Sequence, residues 1–129
     1  MKFKYKEEEV VIMCRYGDIY MARLDEDAEG SLQSGIRPVI VVSNNMANKY
    51  SPVISVIPMS SKVKKRNLPT HVFIPNCGLA KPSLVLAEQV TAINQSRLER
   101  KIGSIEKTEY EDKVKKALAI QLNLSDEML

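Results

Sequence analysis

Aromatic side chains are scarce in this sequence. The 129 residues include no tryptophan, and aromatic residues make up only 5% of the chain. Proteins that stack RNA bases on their surface need a platform of exposed rings. The composition therefore argues against that class of RNA-binding protein, although a net charge of +3 at pH 7 permits a polyanionic partner.

Cysteine and histidine are also rare. Cys14 and Cys77 are the only cysteines, they form no CxxC pair, and the single histidine, His71, lies near neither of them in the sequence. No cluster of Asp, Glu, His or Cys has the spacing that metal ligands need. The five glycines form no phosphate-binding loop of the GxxxxGK type. We therefore expect neither a metal nor another cofactor.

Long apolar runs are missing as well. The N-terminus, MKFKYKEEEVVIM, carries charge where a signal peptide needs an apolar core, and no segment reaches transmembrane length. These features predict a cytoplasmic protein with reduced thiols and no membrane contact. The length predicts one domain. Residues 1–14 are expected to be a flexible N-terminal extension, and residues 15–129 the single domain.

Short apolar runs predict several β-strands. The stretch from Gly35 to Ser61 holds two, Val39–Val42 and Val53–Ile57, which are rich in β-branched residues and bounded by Pro, Ser and Asn. The connection between them is long enough for the two strands to run antiparallel. Four further strands are predicted at Arg15–Leu24, Thr70–Ile74, Ser83–Ala87 and Gln89–Ile93.

The C-terminal region predicts one clear helix. Thr108 with Glu111 three residues later has the pattern of a capping box, and Asn123 is the expected end of the helix. One helical face carries the residues that would pack on the sheet or on a second subunit, namely Tyr110, Val114, Ala117, Leu118 and Gln121. Six short strands and one helix indicate a small, curled antiparallel barrel or sandwich.

A cation and two hydroxyl groups lie at the ends of the two central strands. Arg37 precedes the first strand, and Ser60 and Ser61 follow the second. Such groups at the edge of a small sheet could hold a phosphate. Two structural alternatives remain open: Arg37 pairs with a carboxylate such as Asp18 or Glu88, and the serines cap a turn.

Other polar features have two interpretations each. The basic run Lys62–Arg66 is either a solvated turn or a loop that contacts phosphates. Glu88 and Gln89 interrupt an apolar stretch, so they lie on a solvent face or in a site. His71 would be the default general base of many enzymes, but its position in a strand-like segment favours a structural or surface role.

In combination, these segments resemble the MazF/PemK family of toxins from bacterial toxin–antitoxin pairs. The resemblance covers nearly all of Arg15–Leu124 with similar spacing. The matching segments, in order, are GDIYMARL (17–24), GIRPVIVVSNN (35–45), ANKYSPVISVIPMSS (47–61), LPTHVFI (68–74), SLVLAEQVTAI (83–93) and RLERKIGSI (97–105).

The resemblance implies a fold, an activity and partners. The fold is mainly β, a small SH3-like antiparallel β-barrel with a C-terminal α-helix, and the protein acts as a homodimer. The activity is metal-independent endoribonuclease cleavage of single-stranded RNA, including mRNA, at short specific sequences. A cognate antitoxin protein blocks the RNA groove, and operator DNA is bound only through that antitoxin.

The resemblance also assigns residues. The family's catalytic arginine falls on Arg37, and its catalytic threonine falls on Ser60, which keeps the hydroxyl. The loop Gly30–Gly35 would contact RNA, and Leu32 stands where relatives often carry an acidic residue, which bears on sequence preference. The expected RNA-binding residues are Ser31, Gln33, Ser34, Ser61, Lys62, Lys64, Lys65, Glu88 and Gln89.

A mechanism follows from the substrate. The 2′-OH of RNA would attack the adjacent phosphate and leave a 2′,3′-cyclic phosphate and a 5′-OH. Arg37 would stabilise the phosphoryl charge through two hydrogen bonds, and Ser60 would add a third; the general base is unassigned. Two alternatives are a gyrase-poisoning toxin of the same fold and a non-catalytic nucleic-acid-binding module. Arg37 together with a hydroxyl at position 60 favours the nuclease.

Overall fold

The computed structural model describes residues 13–25, 30, 32–62 and 68–124. Most of the predicted N-terminal extension therefore lies outside the described residues. Cys14, which the sequence assigned to that extension, is buried, and its thiol donates to Oε1 of Gln95 over 3.8 Å.

Antiparallel pairing joins all the strands of the described ranges. The strands are β1 (Asp18–Leu24), β2 (Gly35–Val41), β3 (Val53–Ser60), β4 (His71–Ile74), β5 (Ser83–Leu86), β6 (Thr91–Asn94) and β7 (Leu98–Ser104). Their order is β4-β5-β3-β2-β1-β7, with β6 pairing alongside β3. Within the described residues, no pairing joins β4 to β7 to close a barrel. The prediction of a mainly β antiparallel protein with a C-terminal helix is confirmed.

Two helices accompany the sheet in this part of the chain, α1 (Asn45–Tyr50) and α2 (Tyr110–Leu122), together with 3-10 turns at Ala87–Gln89 and Gln95–Arg97. Neither helix is long and apolar enough to cross a membrane. α1 lies in the connection between β2 and β3, where no helix was predicted. Its six residues are too few to show a helical period, although Asn44 accepts a hydrogen bond from the Ala47 amide as an N-cap.

The predicted strand ends differ from the observed ones for local reasons. β1 begins at Asp18 rather than Arg15, because Asp18 Oδ2 accepts from the Arg15 amide (2.9 Å) and closes a turn. The strand predicted at Gln89–Ile93 begins at Thr91, because the preceding residues form a 3-10 turn. β7 was not predicted as a strand, since its sequence LERKIGS is charged and does not alternate.

Apolar side chains are buried on both faces of the sheet. One cluster packs Ile19, Ile40 and Ile57 against Val114 and Ala117 of α2. The residues that alternate with these point the other way and form a second cluster, which includes Tyr20, Val39, Val56 and Leu98. Burial on both faces explains why β2 and β3 are continuous apolar runs in the sequence.

Side chains accept hydrogen bonds from backbone amides at the start of α2, and a residue in the left-handed backbone conformation ends the helix. The hydroxyl of Thr108 accepts from the Tyr110 amide (3.2 Å), and Glu111 accepts from the Lys107 amide. The predicted capping box is thus made with different partners, because the Thr108 amide already donates to the Ile105 carbonyl (3.0 Å). Asn123 ends the helix, as predicted, with φ of 52°.

Two glycines allow the turn at Cys77–Gly78 to lie directly on β7. A Cβ atom at Gly78 would overlap the Ile102 carbonyl, and a Cβ atom at Gly103 would overlap the Cys77 carbonyl. Both clashes are with backbone atoms, which cannot move away as a flexible side chain could. Glycine at these two positions therefore allows the segment after Cys77 to lie in contact with the sheet.

Replacing Gly103 by alanine should destabilise the protein by at least about 3 kcal/mol, the upper end of the usual cost of overpacking. Gly30→Ala is the matched control, since Gly30 has open space around it and only a positive φ of 64°; its cost should be about 1–2 kcal/mol. Urea unfolding of both variants measures the difference. Equal destabilisation would contradict the close contact of the turn with β7.

Candidate functional site

The central strands β2 and β3 diverge at one point of the sheet. Their ladder ends at the pair Val39 and Pro58, after which Ser60 of β3 pairs with Leu84 of β5 instead. Pro38 stands at this point, on the side of β2 that faces β3, and it has no N–H to donate to the ladder. The first residues of β2 therefore lose their neighbour on one side, and an opening forms between β2 and β3.

Arg37 lies on β2 at this opening. It pairs with Ala22 of β1 and has no ladder partner on β3, whose last residue, Ser60, pairs with Leu84 of β5. The guanidinium is half-buried, and its Nε donates to the Ser34 carbonyl over 3.0 Å. This bond orients the group through Nε and does not use the two terminal nitrogens, which are the atoms that a bidentate contact needs.

The carboxylates that could have neutralised Arg37 pair elsewhere. Oδ1 of Asp18 lies 3.1 Å from Nζ of Lys101, and Oε2 of Glu88 lies 2.8 Å from Nε2 of His71. Among the residues that the structure describes, Arg37 forms no ion pair with a carboxylate. The described residues therefore do not form the salt bridge that was the structural alternative for Arg37.

Ser60 is buried, with 7% of its surface exposed. Its Oγ accepts from the Lys62 amide over 3.2 Å, so the serine does cap a turn. A hydroxyl that accepts one hydrogen bond still has its own proton to donate, and the turn role leaves that proton available. Ser61 and Lys62 follow on the surface, whereas Lys64 and Lys65 lie outside the described residues.

The loop between β1 and β2 is tied to Gln89. Oε1 of Gln89 accepts from the backbone amide of Gln33 over 2.9 Å. The carbonyl of the next residue, Ser34, accepts from Arg37. Gln33 and Gln89 also line a groove of about 570 Å³, with Leu32 beside them. The structure thus brings these predicted site residues together, while Ser31 of the same loop lies outside the described residues.

Glu88 points away from Gln89 into a separate cluster. Its carboxylate accepts from the Thr70 hydroxyl (2.9 Å) and lies against His71. Burial by itself raises the pKa of Glu88, but hydrogen bonds from His71, the backbone and Thr70 lower it further than burial raises it. The net effect is a pKa below the usual value of 4.5. The His71–Glu88 pair joins β4 to the turn that carries Gln89.

Two cations that the sequence did not single out, Lys81 and Arg100, line a pocket together with Arg37. Neither belongs to a local motif, and they are nineteen positions apart in the chain. Only the pairing of β7 with β1, which places Arg100 opposite Met21, reveals the proximity. In the described part of the chain, no group of three or more His, Cys, Asp or Glu side chains is arranged to hold a metal ion.

Comparison with known proteins now adds to this geometry. The profile of the family described as PemK-like, MazF-like toxin of type II toxin-antitoxin system matches residues 15–122. The chain belongs to this family. The resemblance drawn from the sequence is therefore confirmed.

Individual relatives agree in length as well as in sequence. The chain is 38% identical over 117 residues to the endoribonuclease EndoA of Bacillus subtilis, covering 89% of this chain and 99% of that protein. It is 37% identical over 114 residues to the endoribonuclease MazF of Staphylococcus saprophyticus, covering 87% and 93%. A solved mycobacterial endoribonuclease in complex with its cognate antitoxin has the same fold, with a TM-score of 0.72, 23% identity and coverage of 87% and 97%.

The lowered pKa of Glu88 predicts a pH-dependent stability. A carboxylate whose pKa is lower in the folded state stabilises the fold above its unfolded pKa and loses that contribution as the pH falls through the folded pKa. The free energy of unfolding of the wild type should therefore fall more steeply below pH 4.5 than that of Glu88→Gln. Urea unfolding across this pH range tests the prediction, with the exposed Glu109→Gln as matched control; parallel curves for wild type and Glu88→Gln would contradict it.

Proposed function

We propose that this chain is an endoribonuclease toxin that cleaves single-stranded RNA, including mRNA, at short specific sequences and is neutralised by a cognate antitoxin. Family membership and the two relatives named endoribonucleases support the activity. The observation that carries the proposal is the opening between β2 and β3, where Arg37 is oriented by Ser34 on one strand and Ser60 ends the other.

The substrate supplies its own nucleophile in the proposed reaction. The 2′-oxygen attacks the adjacent phosphorus, the bond from phosphorus to the 5′-oxygen breaks, and the products are a 2′,3′-cyclic phosphate and a 5′-OH. The terminal nitrogens of Arg37 hold the phosphoryl oxygens as negative charge develops there, and Ser60 donates a third hydrogen bond. No metal-activated water is needed, since the nucleophile is the neighbouring hydroxyl.

Arg37 is not the general base of this reaction. Guanidinium groups have a pKa above about 12 and stay protonated at neutral pH. Arg37 can therefore stabilise charge and supply a proton to the leaving 5′-oxygen, while the group that removes the proton of the 2′-OH is not assigned.

The RNA strand would follow the groove beside Arg37. Gln33 and Gln89 line it and offer amide groups to bases, and the residues after β3 offer contacts to phosphates. The proposed RNA-binding set is Ser31, Gln33, Ser34, Ser61, Lys62, Lys64, Lys65, Glu88 and Gln89. Within this set, Glu88 is already bonded to Thr70 and His71, so its contribution is to hold the turn that presents Gln89.

The family also supports proposals about the whole protein. We propose that residues 15–129 form one domain with an SH3-like barrel as its organising fold, and that the protein works in the cytoplasm with reduced thiols. The start of the family match at residue 15 and the pairing of β3 with both β5 and β6 support the first point. Operator DNA would be bound only through the antitoxin.

A homodimer is the expected assembly. Ten large hydrophobic side chains of the described residues are exposed, among them Ile36, Met46 and Tyr50, and burying apolar surface between two copies stabilises an obligate dimer. Sedimentation at micromolar concentration should give twice the chain mass of 14.5 kDa. A mass of one chain at every concentration would contradict the homodimer.

The chemistry is tested with matched oligonucleotides. A long RNA is first cut by the protein in EDTA, and the cut ends are mapped. A short strand containing that cut site should be cleaved in EDTA, whereas the same strand with a single 2′-deoxy sugar 5′ to the cut should stay intact and inhibit competitively, because its other contacts remain. Cleavage of the deoxy strand at a comparable rate would show that water is the nucleophile.

The control for this experiment is Arg37→Ala. The variant should unfold at nearly the same urea concentration as the wild type, because Arg37 forms no ion pair in the described residues and its side chain makes one hydrogen bond, to the Ser34 carbonyl, worth about 1 kcal/mol. It should still bind the deoxy strand, but its cleavage rate should fall by at least about 10²-fold, the usual effect of losing one preorganised donor. A folded Arg37→Ala protein that cuts at the wild-type rate would remove Arg37 from the mechanism.

A further inference from the structure

A second pocket is lined by Arg37 and is separate from the groove that Gln33 lines. We call it the cationic pocket; its volume is about 320 Å³, and three cations line it, Arg37, Lys81 and Arg100. The remaining lining residues are apolar or carry hydroxyl groups, and none of them is a carboxylate. Apart from Arg37, no residue of this pocket has a role in the proposed cleavage step.

The cations of this pocket lack local counter-charges. In the ranges that the structure describes, neither Lys81 nor Arg100 forms an ion pair, and Glu99, the neighbour of Arg100, pairs with Arg23 over 3.2 Å. Like charges brought to one concave surface repel each other and raise the local positive potential. Such an arrangement favours the binding of an anion, which removes the repulsion.

Separate structural features hold the two new cations in place. Lys81 belongs to the segment that the Gly78–Gly103 contact presses onto β7, and its carbonyl accepts from the Ser83 hydroxyl over 3.0 Å. Arg100 stands on β7 opposite Met21 of β1. The pocket is therefore built from the sheet and an anchored turn, and its cations are not on a free loop.

The size and the lining of the pocket indicate a ligand. Binding pockets for small molecules have volumes of about 300–1,000 Å³, so the cationic pocket has room for one small unit. Its lining combines the apolar side chains of Met21, Leu79 and Ile102 with the three charges. A nucleotide has the same combination, with a charged phosphate and an uncharged sugar and base.

We infer that the cationic pocket binds one further nucleotide of the RNA strand, and that Lys81 and Arg100 hold a phosphate next to the one that Arg37 holds. Arg37 lines the pocket and also faces the reaction site, so a strand crossing Arg37 enters the pocket within one nucleotide. This inference rests on the proposed function for the identity of the strand. It assigns binding, and no part of the chemical step, to Lys81 and Arg100.

The first test measures binding of a short oligodeoxyuridine, which carries phosphates but no 2′-OH and cannot be cleaved by 2′-OH attack. The test variant is Lys81→Gln with Arg100→Gln. The matched control is Lys113→Gln with Lys116→Gln, which removes the same charge from α2, away from the cationic pocket. Fluorescence anisotropy at several salt concentrations gives the affinity and its salt dependence for each protein.

Neutralising one phosphate on a single strand contributes about 0.7 to the steepness of the fall of log K with log salt, which is about 5-fold in affinity between 1 M and 0.1 M salt. The Lys81/Arg100 variant should lose this contribution, and the α2 control should keep the wild-type slope and affinity. Equal behaviour of the two double variants would overturn the inference.

The second test locates the contacted phosphate. In the uncleavable deoxy strand with a mapped cut site, single phosphates are replaced in turn by uncharged methylphosphonates. One replacement adjacent to the cut should weaken binding by the wild type but have no further effect on the variant that carries both Lys81→Gln and Arg100→Gln, as expected when both changes remove the same contact. Additive losses at every linkage would overturn the inference.

The outcomes separate this inference from the proposed function. A wild type that cuts RNA, with a Lys81/Arg100 variant that binds like the α2 control, would reject the pocket and keep the nuclease. A wild type that binds the oligodeoxyuridine through Lys81 and Arg100 but cuts no RNA would keep the pocket and reject the nuclease.

Discussion

The absence of a backbone donor at Pro38 is the constraint on which the candidate site depends. An N–H at this position would point toward β3 and could continue the ladder past Val39, which would place the backbone of β3 opposite Arg37. Because the ladder stops, β3 turns toward β5 and the guanidinium of Arg37 faces an opening instead of a strand. The two pockets at this opening follow from the same divergence, since both are lined by residues at its edges.

The parts of the fold that the sequence predicted are those determined by local pattern. The apolar runs of β2 and β3 were found because they are buried on both faces, and the C-terminal helix because its apolar residues recur at helical spacing. α1 and β7 were not found. α1 is one turn and a half long, and it is held by side chains from distant positions, such as Gln95 Nε2 donating to the Asn48 and Ser51 carbonyls (2.7 and 2.8 Å). Contacts of that range leave no local signal.

The residues of the candidate site could be predicted from the sequence one by one, but the hydrogen bonds between them could not. The sequence singled out Arg37, Ser60 and Gln89 through their positions at strand ends and the family resemblance. It could not show that Gln89 accepts from the backbone amide of Gln33, or that the carbonyl of the next residue, Ser34, orients Arg37. Both bonds depend on the register across three strands. The choice between a carboxylate partner for Arg37 and a functional role was left open for the same reason, since the pairing of the carboxylates is decided by the packing of the whole sheet.

The two free thiols of the described residues differ in chemical reactivity. Cys14 is 3% exposed, and burial raises its pKa to about 11, so very little reactive thiolate is present at neutral pH. Burial also raises the pKa of Cys77, but this residue is only half-buried and directly precedes Gly78 at the edge of the cationic pocket. Reagents that attack sulfur therefore reach Cys77 first. The native chain carries a single attachment point for a fluorophore at the rim of that pocket, with no need for an introduced cysteine.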